Sequence, residues 1–310
     1  MEIAVARSGM QTTVQDLGRR GHRGVGVPLC GAMDSFAHRV ANLLVGNPEN
    51  AATLECALVG PDLIFGADAL IAVTGAAFEA IPGWRPVEVR AGQRLTLGAA
   101  RNGCRGYIAV AGGIDVPVVL GSRSTYLRGG FGGFEGRALH DGDRLAVQTV
   151  PHRVADHWRI DERILPAYSS EPTVRVVRGA QAEEFGRVLF GEEFKILPQS
   201  DRMGVRLGGP RLVRIGGKVD LVSSAVAPGT VQIPPDGQPI ILMADAQTIG
   251  GYPKVAHVIS VDLPLVAQLR PGDRVKFAEV SLAEAQDFAH AREHVLAILH
   301  EGLNQKIDPT

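Results

Sequence analysis

Glycine and proline punctuate this sequence along its whole length, and no other feature constrains the fold as strongly. The chain contains 38 glycines and 19 prolines, while aromatic residues make up only 5% of it. Between these residues lie short runs of Val, Ile and Leu, a pattern typical of short strands joined by tight turns. We therefore predict a mainly β protein with a few peripheral helices.

The predicted strands are the apolar runs that turn residues bound on both sides. They are Ala69–Val73, Val87–Val89, Arg94–Leu97, Tyr107–Ala111, Arg144–Val147, Thr173–Val177, Lys218–Val222, Thr230–Ile233, Ile240–Met243 and Arg274–Phe277.

Amphipathic stretches predict helices over Asp34–Val45, Ala180–Leu189 and Leu282–Glu301. Asp34 is a favourable N-cap for the first helix, and Gly46 lies just past its end. Ser281 and Glu284 have the spacing of a capping box at the start of the last helix. Gly302 is predicted to end that helix.

Two short phrases occur once in each half of the chain. VGPDL at Val59–Leu63 returns as GGPRL at Gly208–Leu212, and DGDRL at Asp141–Leu145 returns as PGDRV at Pro271–Val275. Two related β domains would explain the repetition. Gly-Asp and Gly-Pro also suit many hairpin turns, so independent origin of these short turns stays open.

The domain boundary is expected in the charged stretch Pro151–Pro172, which has weak periodicity. At 310 residues the chain is about twice the size of a usual single domain. We predict an N-terminal domain over residues 1–160 and a C-terminal domain over residues 161–310.

Composition excludes some classes of partner. Hydrophobic residues make up 45% of the chain, charged residues 21%, and the net charge is -1, so nucleic acid is not an expected partner. The apolar runs are shorter than the roughly 20 residues that span a bilayer. The beginning of the sequence, MEIAVARSGMQ, has no signal-peptide run, and the three cysteines show no CxxC spacing. We expect a cytoplasmic protein without membrane contacts.

Common catalytic motifs are absent: the sequence contains no GxxxxGK[ST], GxSxG or HExxH. His290 and His294 have i, i+4 spacing, but no further ligand completes a metal site, so a solvated helix face and no metal are expected. Cys30 is interpreted as a small turn residue rather than a nucleophile, because no His or Asn partner is recognisable near it. The glycine-rich segment Arg128–Arg137 is either a turn or an anion-holding loop.

Four loops mix hydrogen-bonding side chains, charges and glycines, and together they favour a site for a small polar ligand. They are Gln11–Gly18, Gly121–Tyr126, Gln199–Gly204 and Asp245–Lys254.

These loops overlap four of five longer segments that resemble the KipA and allophanate-hydrolase-subunit-2 family. Members of this family are also called biotin-dependent carboxyltransferase proteins or C subunits of 5-oxoprolinase. The similar segments are Gly9–Asp34, Asn42–Glu55, Gly121–Leu139, Ser200–Pro210 and Asp245–Asp273. One departure is Cys30, which stands where the family commonly has serine, and a thiol is the weaker hydrogen-bond donor.

The resemblance implies two cyclophilin-like β-barrel domains and a role as one subunit of an ATP-dependent 5-oxoprolinase. The implied partners are a KipI-like subunit and a LamB/YcsF-like subunit, and ATP would bind without a P-loop, on this chain or on a partner. Two alternatives remain open. One is a carboxyltransferase acting on a urea-like amide, with biotin carried by another protein; the other is a non-catalytic KipI antagonist that regulates a kinase inhibitor.

The amide substrates of this family share an N–H group beside a carbonyl, which determines the candidate residues. Asp201 or Asp245 would accept a hydrogen bond or proton from the nitrogen. Arg202, Arg123 or Lys254 would stabilise negative charge on the oxygen or bind a substrate carboxylate. The candidate substrate-binding residues are Gln15, Asp16, Asp34, Arg123, Ser124, Tyr126, Ser200, Gln247, Thr248 and Tyr252. The structural alternative for Asp201 and Arg202 is an ion pair between these two neighbours that bridges the domains.

Overall fold

The computed structural model describes residues 1–148, 160–217 and 221–307. Contacts divide the chain into two units. The first unit comprises Met1–Arg19, Cys30–Pro166 and Glu293–Thr310, and the second comprises Arg20–Leu29 and Ala167–Arg292. The division at residue 160 that the sequence favours stays a prediction, and residues 149–159 of the expected boundary stretch lie outside the described residues.

The first unit is built from short strands, as the sequence predicts. They are β1 (Glu2–Arg7), β2 (Thr12–Gln15), β3 (Thr53–Ala57), β4 (Asp62–Phe65), β5 (Ala69–Phe78), β6 (Pro86–Val89), β7 (Arg94–Thr96), β8 (Ala100–Val110), β9 (Ile114–Asp115) and β10 (Arg144–Val147). In the described residues they form two five-stranded antiparallel sheets, ordered β7-β4-β1-β10-β9 and β2-β3-β8-β5-β6.

Strand β5 shows why an almost continuous apolar run forms a strand here. Ile71 and Val73 point into the core that the two sheets share. Leu70 and Ala72, on the opposite face, pack with helix α1 (Ser35–Leu44). Because both faces of the strand are covered, its residues are apolar without alternation.

Helix α1 begins and ends as predicted. The carboxylate of Asp34 accepts a hydrogen bond from the backbone N–H of Ala37 at 2.9 Å, which satisfies one free donor of the first turn. Gly46, past the end, has a φ of 74°, a backbone conformation that glycine adopts without strain.

The second unit contains a closed barrel. Its strands are β11 (Thr173–Arg178), β12 (Glu193–Ile196), β13 (Gly204–Gly208), β14 (Ser224–Ala225), β15 (Thr230–Gln232), β16 (Ile240–Leu242), β17 (Ile249–Gly250), β18 (Lys254–Val258) and β19 (Arg274–Glu279). The barrel order is β11-β18-β15-β16-β13-β12-β19, and parallel pairing of β11 with β19 closes it. Strands β14 and β17 form a separate two-stranded ribbon. The prediction of a mainly β chain is confirmed.

The recurring Gly-Asp-Arg phrase adopts the same local structure in both units. Gly142 and Gly272 have φ values of 92° and 101°. The next residue, Asp143 or Asp273, accepts a hydrogen bond from the backbone N–H three residues earlier, at 2.7 or 2.8 Å. In both units the turn leads directly into a strand, β10 or β19.

The described residues contain several short helices besides the one predicted from the sequence pattern. They are α2 (Val188–Gly191), α3 (Leu263–Ala267) and the 3-10 helices Arg23–Val25, Glu162–Ile164, Ala182–Phe185 and Ser260–Asp262. The single helix predicted over Ala180–Leu189 is wrong. Gly186 lies between its two pieces with a φ of 62°, a conformation that a continuous helix cannot contain.

Helix α4 runs from Leu282 to Ile307. Its predicted capping box is confirmed: the Ser281 N–H donates to the Glu284 carboxylate at 2.8 Å, and the Glu284 N–H donates to the Ser281 hydroxyl at 3.2 Å. The predicted end at Gly302 is wrong. A helical glycine costs only about 1 kcal/mol, and the next residue, Leu303, is buried, which favours continuing the helix.

Of the predicted strand Lys218–Val222, residues 218–220 lie outside the described residues, and Leu221 and Val222 are not in a strand. No helix in the described parts of the chain is long and apolar enough to cross a membrane.

Candidate active site

Lys254 is a buried cation in the second unit. It begins β18, where it pairs with Gln232 of β15, and it is 8% exposed. Its ammonium donates hydrogen bonds to Ser224 Oγ at 2.7 Å and to the Gly250 carbonyl at 3.3 Å. Both acceptors are neutral, and no carboxylate within the described ranges forms an ion pair with Lys254. Because a buried charge without a counter-charge is costly, this ammonium is suited to hold an anion.

The small ribbon of β14 and β17 creates this environment. Ser224 and Gly250 are directly opposite each other in the ribbon, so both can face the same ammonium group. The backbone carbonyl of Thr248 accepts a hydrogen bond from Val226 N–H at 3.1 Å, which extends the pairing. The ribbon therefore fixes the acceptors around Lys254 through backbone hydrogen bonds.

Two amide side chains lie beside the ribbon. Gln247 Nε2 donates to Gln232 Oε1 at 3.4 Å, and Gln232 Nε2 donates to the Tyr252 carbonyl at 3.5 Å. A Cβ on Gly250 would lie only 2.8 Å from Gln232 Nε2, so the amide packs against bare backbone. Primary amides offer both donors and an acceptor, which matches a ligand that presents N–H and C=O together.

His257 lies three residues after Lys254 in the same strand. Burial, and secondarily the positive charge of Lys254, lowers the pKa of His257 below its usual value. Its Nδ1 lies 3.2 Å from the Thr230 hydroxyl. The imidazole is therefore neutral near pH 7 and adds no positive charge there.

Arg202 and Asp245 form a buried, two-point ion pair. Arg202 Nε and Nη2 donate to the two carboxylate oxygens at 3.0 and 2.8 Å, and both side chains are 5% exposed. The Asp245 N–H also donates to the Arg202 carbonyl at 2.9 Å. The planar guanidinium and the carboxylate hold each other in one orientation.

The suggested ion pair between neighbours Asp201 and Arg202 is wrong. Asp201 is exposed, and its carboxylate accepts backbone hydrogen bonds from Met203 at 2.8 Å and Gly204 at 3.1 Å. An Asp side chain commonly closes a turn on its own backbone in this way. The side chain of Ser200 is likewise engaged with backbone, donating to the Leu197 carbonyl at 2.7 Å.

In the first unit, the carboxylate of Asp16 connects two loops through hydrogen bonds. Its carboxylate accepts hydrogen bonds from Gly18 N–H at 2.8 Å, the Ser122 hydroxyl at 2.6 Å, Arg123 N–H at 2.5 Å and the Ser124 hydroxyl. The Arg123 side chain donates to the Val116 carbonyl at 3.0 Å. The structure thus brings Asp16, Arg123 and Ser124 together, and their contacts position the Ser122–Ser124 loop.

The remaining candidates in the first unit are engaged locally. Gln15 Nε2 donates to Thr13 Oγ1 at 3.0 Å and to the Thr125 carbonyl at 3.3 Å. Its Oε1 is buried and has no hydrogen-bond partner in the described parts of the chain. Asp34 caps α1. Tyr126 stacks edge-on against Phe131, with ring centroids 5.5 Å apart.

Arg137, the last residue of the glycine-rich segment, forms two ion pairs. Arg137 pairs with Asp143 at 2.7 Å and with Glu135 at 2.6 Å, so its guanidinium already has anionic partners. Cys30 is buried with a φ of 55°, as a turn-lining residue would be. In the described residues no group of three or more His, Cys, Asp and Glu side chains is arranged to hold a metal ion.

Four candidates from one predicted loop, Lys254, Gln247, Thr248 and Tyr252, are gathered around the ribbon. Sequence reasoning missed Gln232 and Ser224, which lie in the same place. An amide inside the apolar run TVQIP was the available signal for Gln232. No pattern distinguishes Ser224 from its neighbours.

Sequence reasoning also missed Arg19. This side chain is fully buried, stacks 4.9 Å above the Phe131 ring and donates to the Ser124 carbonyl. Its Nη1 has no hydrogen-bond partner among the residues that the structure describes. The adjacent Arg20 is exposed, and the sequence gives no reason to separate these two neighbouring arginines.

Known proteins are similar to this chain over nearly its whole length. The C subunit of 5-oxoprolinase from Escherichia coli (strain K12) is 43% identical over 294 residues, 91% of this chain and 93% of that protein. The protein of the same name from Haemophilus influenzae is 40% identical over 306 residues, 96% of this chain and 97% of that protein.

A fungal enzyme has the same fold within a longer chain. The crystal structure of the Kluyveromyces lactis urea carboxylase matches with a TM-score of 0.90 at 31% identity, over 100% of this chain but 30% of that one. Residues 25–279 match the model of a family described as the carboxyltransferase domain, subdomain A and B. With most of its length matched by this model and by relatives of nearly equal length, the chain belongs to the carboxyltransferase domain family.

Proposed function

We propose that this chain is the C subunit of an ATP-dependent 5-oxoprolinase, the enzyme that opens the lactam of 5-oxoproline to give glutamate. The observation that carries the proposal is the match to the E. coli protein of that name, at 43% identity over 93% of its length. Identity at this level, spread over both chains, supports the same role in the same kind of assembly.

The Lys254 site fits the chemistry of this substrate. 5-Oxoproline carries one carboxylate and a lactam whose N–H lies beside its C=O. The Lys254 ammonium, whose partners among the described residues are neutral, would bind the carboxylate. The amides of Gln247 and Gln232 would hydrogen-bond the lactam, and Thr248 and Tyr252 border the same ribbon.

The other candidate residues would act indirectly. Asp245 remains the candidate acceptor for the lactam N–H, held in orientation by the two hydrogen bonds from Arg202. Asp201 and Ser200 would shape the turn before β13. In the first unit Asp16 would position the loop that carries Arg123 and Ser124.

The proposed assembly contains a KipI-like and a LamB/YcsF-like subunit and works in the cytoplasm. Since the sequence contains no P-loop, ATP would bind a site of another type, on this chain or on a partner. ATP hydrolysis would then be coupled to the hydrolysis of the lactam.

Carboxyl transfer to a urea-like amide is the second candidate, because the urea carboxylase of K. lactis has the same fold at a TM-score of 0.90. Urea also presents N–H beside C=O, but it has no carboxylate for Lys254. Biotin would have to be carried by another protein. The 5-oxoprolinase function is preferred because it accounts for the unbalanced charge.

The test is an omission experiment with the purified KipI-like and LamB/YcsF-like subunits. We expect glutamate release from 5-oxoproline only when ATP and all three chains are present, and none from this chain alone. Full turnover by the other two subunits without this chain would refute the proposal.

A further inference from the structure

An apolar cavity of about 480 Å³ opens on the second unit. Phe185, Leu212, Leu221 and Ile233 form much of its wall, and Tyr252 lies at its edge. A cavity of this size accommodates one or more large side chains or a small molecule. Because its wall is largely apolar, the group that fills it should be mainly apolar too.

Exposed apolar residues line the cavity or are close in sequence to its lining residues. Val213, at 67% exposure, and Tyr252, at 45%, line it directly. Ile215, Val222 and Ile249 are 68%, 90% and 61% exposed, and each lies within two residues of a lining residue. Apolar surface grouped in this way marks an interaction site more often than single exposed residues do.

The cavity also carries positive charge. Arg211 lines it and donates to the Pro235 carbonyl at 3.3 Å, but it has no carboxylate partner within the described ranges. Arg214, a second lining residue, pairs with Glu184. The cavity therefore combines an apolar interior with one unbalanced guanidinium.

We propose that this surface docks a segment of a partner subunit that presents an apolar side chain next to a carboxylate. The apolar side chain enters the cavity, and the carboxylate pairs with Arg211. A small molecule would fill the cavity but leave the apolar rim in water, whereas a polypeptide covers both. This inference rests on the proposed function, which requires partner subunits.

The probes are the purified KipI-like and LamB/YcsF-like subunits, titrated separately onto this chain. Val213→Asp places a charge at the apolar rim, and Arg211→Glu reverses the unbalanced charge. We expect each to weaken binding of one partner by at least about tenfold, as the loss of an interface hot spot does. The matched changes Val118→Asp and Arg85→Glu, at exposed residues that do not line the cavity, should leave binding unchanged.

The outcomes separate the two proposals. Wild-type affinity in both cavity variants, with normal folding and turnover of the wild-type complex, would overturn the docking surface and leave the proposed function intact. Normal assembly with a raised KM would also overturn it, because the cavity would then hold a small molecule. A wild-type chain that binds neither subunit and supports no turnover would instead refute the proposed function.

Discussion

Replacing Lys254 with methionine should separate function from stability. Methionine has a similar length but no charge, so Lys254→Met removes the ammonium together with its hydrogen bonds to Ser224 and Gly250. A buried charge with only neutral partners contributes little net stability, and an apolar residue of similar volume is often neutral or stabilising there. We therefore expect the melting temperature to stay the same or rise.

Lys254→Met should instead weaken substrate binding. A hydrogen bond to a charged group contributes about 1.5–3 kcal/mol, so losing the contact to a substrate carboxylate should lower kcat/KM roughly 10- to 150-fold. The loss should appear mainly in KM, since the carboxylate does not change charge during ring opening.

The assay measures glutamate release by the reconstituted complex across a range of 5-oxoproline concentrations, with calorimetry on the same samples. Lys195→Met is the control, because Lys195 is an exposed lysine of the same unit. An unchanged kcat/KM together with a lower melting temperature would show that Lys254 serves the fold alone and would remove it from the site.

Three further predictions concern the described contacts. Arg202→Lys loses the planar fork that binds Asp245 and should lower the free energy of unfolding by about 1–3 kcal/mol, measured by urea denaturation; an unchanged midpoint would contradict the role of the pair. Burial lowers the pKa of His38 from 6.5 to about 4, so the unfolded chain binds this proton more readily. The free energy of unfolding of the wild type should therefore fall by roughly 3 kcal/mol as the pH is lowered from about 6.5 to about 4. His38→Asn should remove this fall, and parallel pH profiles of stability for the two proteins would refute the prediction. Gly302→Ala, in open space within α4, should raise stability by up to about 1 kcal/mol, whereas Gly186→Ala, where φ is 62°, should lower it; equal melting temperatures would contradict both.

The helix caps could be predicted from the sequence because they depend on neighbouring residues. The N-cap Asp34 and the capping box of Ser281 and Glu284 depend on residues three positions apart. A helix end that depends on tertiary packing could not be predicted in this way. Helix α4 continues past Gly302, where burial of Leu303 favours the helix.

Contacts between residues far apart in sequence likewise limited the prediction of the candidate site. Its loop Asp245–Lys254 stood out by composition, but the pairing of Asp245 with Arg202 joins residues 43 positions apart. The unbalanced charge of Lys254 depends on which carboxylates lie near it in space, information that no local pattern contains. Gln232 reaches the site through the register of β15 with β18.

The most direct test of the account compares two reactions of one reconstituted complex containing this chain. The first is ATP-dependent release of glutamate from 5-oxoproline, and the second is carboxylation of urea with a biotinylated carrier protein. We predict glutamate release that requires this chain, and no carboxylation of urea. Carboxylation of urea without turnover of 5-oxoproline would contradict it.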